Sequence, residues 1–205
     1  VSIADTGAFT TAGDVEAAFA EIYQNARSAQ ASMSVPLTGF LDPDGDPLAK
    51  FVADNVGTVG YNLADTEALN LRWNNYPGNP GVVAITQIAL PLDLDDAADA
   101  QIEFLCSKSG ATAGDATVLT VSAYIVSAGD LHDADTIVTG DTTALVGNAT
   151  AKTTAMISFT LTAANIPAAA HSMTLKIMPK SGLIETDDFM VHSIRLRYKR
   201  KIQTS

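Results

Sequence analysis

Over most of the chain large apolar residues fall at every second position, the spacing of strands with one buried face. Leu69, Leu71 and Trp73 share one side of the stretch from Ala68 to Trp73, with Asn70 and Arg72 on the other. Leu119, Val121, Ala123 and Ile125 alternate with Val118, Thr120, Ser122 and Tyr124; Ile157, Phe159 and Leu161 with Met156, Ser158 and Thr160. Met173, Leu175 and Ile177 keep the same period within Ser172 to Met178. Strands are likewise expected at Val82 to Leu90, Ala100 to Ser107 and, more weakly, Thr136 to Thr139. The last, Val191 to Lys201, reads V-H-S-I-R-L-R-Y-K-R-K, with His192, Ile194, Leu196 and Tyr198 inward and Ser193, Arg195, Arg197 and Lys199 outward. Eight principal strands are thus expected from Ala68 onward. Turn-rich loops separate them, among them N-N-Y-P-G-N-P-G and P-K-S-G-L-I-E-T-D-D, and no connection has the length of a crossover helix. Antiparallel pairing in two packed sheets follows, with a jelly roll as the nearest named architecture and another Greek-key sandwich as the alternative.

A different period appears near the start. Val15, Phe19, Ile22, Ala26, Ala29 and Met33 recur at alternating steps of four and three, predicting a helix over residues 14–32 with Asp14 as N-cap and Pro36 beyond its end. So short a seam needs a surface to lie on, either its own sandwich, a sister subunit or another protein. Residues 1–34 are therefore expected to form an arm and helix, and residues 35–205 a sandwich domain. At the start of this domain, strand segments expected at Leu37 to Leu41 and Leu48 to Val52 flank the acidic turn D-P-D-G-D-P.

Composition supports a packed domain, at 47% hydrophobic and 17% charged over 205 residues. The net charge of -11 argues against binding nucleic acid through its phosphates. The charge is also segregated. Arg195, Arg197, Lys199, Arg200 and Lys201 are five of twelve cations, while all twenty-three Asp and Glu residues precede them. The cations are expected to answer acidic loops such as Asp93 to Asp99, in the same subunit or the next. A single cysteine, Cys106, excludes an intramolecular disulfide. No apolar run approaches the length of a membrane-spanning helix, and the opening V-S-I-A-D-T-G lacks the cationic start and apolar core of a signal peptide.

Candidate chemistry is sparse. Asp42, Asp44 and Asp46 cluster carboxylates as a hard cation requires, yet the turn departs from a calcium loop: glycine is fourth, not sixth, and the twelfth position is Ala53. Asp130, His132, Asp133 and Asp135, and the run Asp93, Asp95, Asp96 and Asp99, read as solvated loops. There is no G-x-S-x-G elbow, Cys106 falls within a strand pattern, and His171 and His192 have no partner visible in sequence. S-K-S-G-A-T-A-G-D lacks the G-K-[ST] ending of a phosphate loop. Asn148-Ala149-Thr150 matches a glycosylation acceptor. No enzyme activity and no cofactor or metal is expected. Trp73 and Tyr76, beside Asn74 and Asn75, are candidate glycan contacts, since an aromatic face stacks on a sugar ring; a strand-end tryptophan also serves as a core plug.

The opening I-A-D-T-G-A-F-T-T-A-G-D-V-E-A-A-F-A-E-I resembles the amino-terminal segments of tailed-bacteriophage structural proteins, in which an arm and short helix precede a β domain. A-L-N-L-R-W-N-N, the strands around S-K-S-G-A-T-A-G-D, and D-D-F-M-V-H-S-I-R-L-R-Y-K resemble jelly-roll virion proteins of the head-decoration or tail-associated kind. The resemblance implies a non-enzymatic virion component bound to a major capsid protein or another virion protein, with a homotrimer as the expected assembly. It implies docking or assembly through Phe9, Val15, Phe19 and Ile22, with Arg195, Arg197 and Lys199 as a candidate charged interface. The alternative is a carbohydrate- or receptor-binding module of a phage tail or fibre.

Overall fold

The computed structural model describes residues 15–27, 29–50, 59–62, 68–73, 83–110, 118–129, 136–145, 153–168, 170–180 and 187–201. One helix, α1 (Val15–Arg27), precedes the strands β1 (Gln30–Val35), β2 (Val59–Asn62), β3 (Asn70–Trp73), β4 (Ala84–Ala89), β5 (Ala100–Lys108), β6 (Leu119–Ser127), β7 (Thr136–Asp141), β8 (Ala155–Leu161), β9 (Ala170–Pro179) and β10 (Phe189–Lys199). All eight strands expected from Ala68 onward are present; β1 and β2 are additional.

The strands form two antiparallel sheets, a jelly-roll-like β-sandwich. One has six strands in the order β2-β3-β10-β5-β8, with β1 also on β10; the other has four, β4-β9-β6-β7. The closing strand β10 is the centre of the larger sheet. Along one edge it pairs first with β3 through residues 189–191 and then with β1 through residues 194–199, while β5 takes the opposite edge.

Strand alternation creates the core. Ile102, Phe104 and Cys106 from β5, Ile194 and Leu196 from β10, Val121 and Ala123 from β6, and Leu175 and Ile177 from β9 are all buried in one cluster. Burying each large side chain of this kind stabilises the fold by about 1.5–3 kcal/mol.

The helix is shorter than its period suggests. It ends at Arg27, and Met33, assigned to the helical seam by its spacing, lies in β1 opposite Leu196. From Gln30 the chain has a second period, with Ala31, Met33 and Val35 more buried than Gln30, Ser32 and Ser34. Pairing decides between the two periods, because a helix continued to residue 32 would leave this edge of β10 without its backbone partners. Residues 30–34 therefore belong to the sheet. Leu37–Gly39, expected as the start of a strand, is a 3-10 turn.

The phase of β10 differs at one residue. Register slips between Val191 and Ser193, so Val191 and Ile194 both face the core although they are three apart. His192 is the extra residue of this β-bulge and stands outside the inward series in which alternation places it. The acidic turn after β1 closes on itself. Asp42 Oδ1 accepts the backbone N–H groups of Asp44 and Asp46 at 3.0 and 2.9 Å, and Gly45 supplies a φ of +89°.

Candidate binding site

The outward sides of four neighbouring strands build a continuous polar surface. Register places Ser32 of β1, Arg197 of β10, Gln101 of β5 and Thr160 of β8 in one row, and Ser34, Arg195, Glu103 and Ser158 in the next. Each row crosses three strand spacings, roughly 14 Å. Lys199 follows on β10 opposite Gln30. At this end a cleft of about 340 Å³ opens, lined by Gln30, Asp99, Gln101, Thr160, Arg197 and Lys199.

Most of the charges on this face are held in place within the subunit. Glu103, with only 8% of its side chain exposed, receives Arg195 Nε on Oε2 and Arg197 Nε on Oε1, the latter at 3.1 Å. Arg197 Nη2 also donates to Gln101 Oε1. Two guanidinium groups thus share one carboxylate, leaving the pair of rows locally cationic. Next along the strand the cations meet the acidic loop, with Arg200 to Asp93 at 2.6 Å and Lys201 to Asp96 at 2.9 Å. The Arg200 hydrogen bond holds the Asp93 carboxyl below its ordinary range, and Tyr198 donates to the same carboxylate at 3.1 Å. Burial, and then the hydrogen bond to Asp93, raise the Tyr198 phenol. Asp99 Oδ1 accepts Ala163 N–H at 2.8 Å, tying the cleft wall to the 3-10 turn after β8.

The other candidates separate clearly. Trp73 is completely buried, its ring centroid 6.2 Å from that of Phe189. This corrects its candidacy as a glycan contact: the inward phase of β3 gives the indole no face for a sugar, and it fills the core. Tyr76, Asn74 and Asn75 lie outside the described residues, as do Phe9, Asn148 to Thr150, and Asp130 to Asp135. On α1, Phe19 and Ile22 are 67% and 50% exposed, Val15 is half-buried and Ala18 is buried.

Ser107 Oγ and His192 are 2.7 Å apart, a pair that bulging of β10 brings together across 85 positions. Ser107 has no exposed surface, which bars a substrate from its hydroxyl. Nearby, Arg72 pairs with Asp188 at 2.6 Å, and buried Lys108 lies 4.0 Å from Asp187. Cys106 is buried, and desolvation pushes its thiol pKa well up, the state of an inert core cysteine. Among the described residues no group of three or more His, Cys, Asp or Glu is placed to hold a metal ion, and no helix is long and apolar enough to cross a membrane.

The two polar rows were not visible in the sequence. Each strand's polar side was, but the order β1-β10-β5-β8 that sets them side by side comes from pairing between segments far apart in the chain.

No family model and no curated protein sequence matches the chain. Among solved structures it is similar to the xylan-binding module CBM15, at 14% identity and a TM-score of 0.49, covering 85% of this chain and 100% of that one. It is also similar to a family 30 carbohydrate-binding module of a Clostridium thermocellum cellulosomal cellulase, at 10% identity and a TM-score of 0.45, covering 81% and 96%. The enzymatically active domain of tailspike protein 4 of bacteriophage CBA120 aligns at 12% identity and a TM-score of 0.33, covering 84% of this chain and 20% of that one. At such identities the likeness is one of fold: these are β-sandwich chains, chiefly carbohydrate-binding modules, with viral and phage chains among them.

Proposed function

We propose that this chain is a non-enzymatic carbohydrate- or receptor-binding β-sandwich module of a phage particle. The observation that carries this reading is the outer face of the six-stranded sheet, where hydroxyl, amide and guanidinium groups stand in register beside an open cleft. Such groups recognise a polyhydroxylated ligand by hydrogen bonds, and strands hold them rigidly enough for selectivity. The non-enzymatic part rests on the buried state of Ser107 and on the double arginine partnership of Glu103, which occupies both oxygens of that carboxylate. Glycan-array screening of the full chain tests the reading. Binding to a defined saccharide that is recovered uncleaved supports it; cleavage of the bound saccharide rejects its non-enzymatic part, and no binding across the array rejects carbohydrate binding.

A second reading, a capsid decoration protein bound to the major capsid protein as a trimer, is favoured by one observation, the exposure of Phe19 and Ile22 on α1. Large apolar side chains this exposed are suited to contact with another protein. Capsids lacking the protein, mixed with wild-type chain or with Phe19→Ser/Ile22→Ser, distinguish this role by retention of the wild type alone.

A further inference from the structure

We propose that the cleft beside Lys199 binds a saccharide carrying a carboxylate, a uronic or sialic acid, with Lys199 and Arg197 receiving the acid group. This deepens the carbohydrate-binding reading above and rests on it. The positive charges of the closing segment are paired within the chain, with one exception. Arg195 and Arg197 share Glu103, Arg200 takes Asp93, and Lys201 takes Asp96. Lys199 has no hydrogen bond or ion pair from its ammonium among the described residues, although the chain carries a net charge of -11. Its place is the cleft wall, half-buried and opposite Gln30.

Arg197 is committed only in part. Its Nε binds Glu103 and one Nη2 hydrogen binds Gln101, leaving roughly three of the five guanidinium N–H groups for a ligand. Glu103 and Gln101 also fix the plane of the guanidinium, so that its remaining donors are directed before a ligand arrives. A carboxylate accepts a pair of such donors at small entropic cost.

The rest of the lining selects a sugar over a simple anion. Gln30 and Gln101 offer amide donors and acceptors, Thr160 a hydroxyl, and Asp99 a carboxylate acceptor for a sugar hydroxyl. Asp99 also makes the site less welcoming to a bare polyanion. The cleft, at about 340 Å³, lies at the small end of ligand sites, fitting an acidic terminal residue or short oligosaccharide rather than a buried drug-sized molecule.

The test is calorimetric titration of the full chain with tri-galacturonic acid and with 3'-sialyllactose, each against its uncharged counterpart, the galacturonate methyl ester or lactose. One acid, identifying the source, is expected to bind at least about tenfold more tightly than its counterpart, a preference that shrinks as salt rises. Lys199→Gln is expected to abolish that ratio with Tm unchanged, and Lys199→Arg to preserve it. Equal binding of acid and counterpart overturns the proposal but leaves the carbohydrate reading standing. So does an acid preference unaltered by Lys199→Gln, or one matched by poly-glutamate. Failure of all four to bind overturns the proposal, and the absence of any binding across the glycan array as well overturns the carbohydrate reading.

Discussion

Arg195 lies directly across the ladder from Glu103 and donates its Nε to Glu103 Oε2, joining the two central strands of the six-stranded sheet on their outer side. Half of the Arg195 side chain is exposed, whereas Glu103 is nearly covered, so the pair has one wet and one sheltered partner. Such a carboxylate depends on its cations more than the arginines depend on it. Glu103→Gln is expected to lower stability by about 1–2 kcal/mol, between the worth of a surface pair and the cost of a buried unpaired charge. Urea unfolding measures it as a lower midpoint at unchanged slope. A double-mutant cycle with Arg195→Ala should give a coupling of about 1 kcal/mol.

Trp73 is a core side chain with no exposed face to offer a ligand. Trp73→Ala is expected to cost about 3–5 kcal/mol because it opens a cavity beside Phe189. The folded fraction should keep the saccharide affinity of the wild type, measured at a temperature where both proteins are folded.

Phe19 and Ile22 are expected to behave in the opposite way. Phe19→Ser/Ile22→Ser should move the unfolding free energy by no more than about 0.5 kcal/mol, since neither side chain is buried in the core. On the second reading the same change dissociates the trimer, and sedimentation velocity reads it directly as a loss of the larger species.

Acid weakens the tie between the closing segment and the loop at Asp93. The Asp93 carboxyl titrates below its ordinary range because Arg200, then Tyr198, bind its charged form. A depressed folded-state pKa stabilises the fold above the unfolded value, about 3.9, and that contribution is lost as pH falls through the lower folded value. Asp93→Asn should therefore lower Tm at pH 7, and the difference from wild type should vanish in strong acid. Asp141, held down by Lys180, should show the same sign. Thermal melts across pH for each variant check both.

Which parts were legible in sequence follows from how local their causes are. Leu119, Val121, Ala123 and Ile125 announce their shared face by spacing alone, and they are buried as expected. Met33 fits two periods at once, and only the edge of β10, distant in sequence, decides for strand. His192 shifts phase because a bulge is a property of two paired strands, not of one. Trp73 illustrates a further limit, since aromatic character is common to a core plug and a sugar platform and only burial separates them. The cleft required the greatest reach: Gln30, Gln101, Thr160 and Lys199 come from four strands, and no short motif joins them.

On the proposed function, the outer face of the six-stranded sheet is the binding surface. Backbone amide chemical-shift mapping during titration with the saccharide selected on the array tests it most directly. Shifts are expected to concentrate at Gln30, Gln101, Thr160, Arg197 and Lys199. Shifts confined to Ser122, Tyr124, Thr174 and Lys176, on the outer side of the four-stranded sheet, would contradict it.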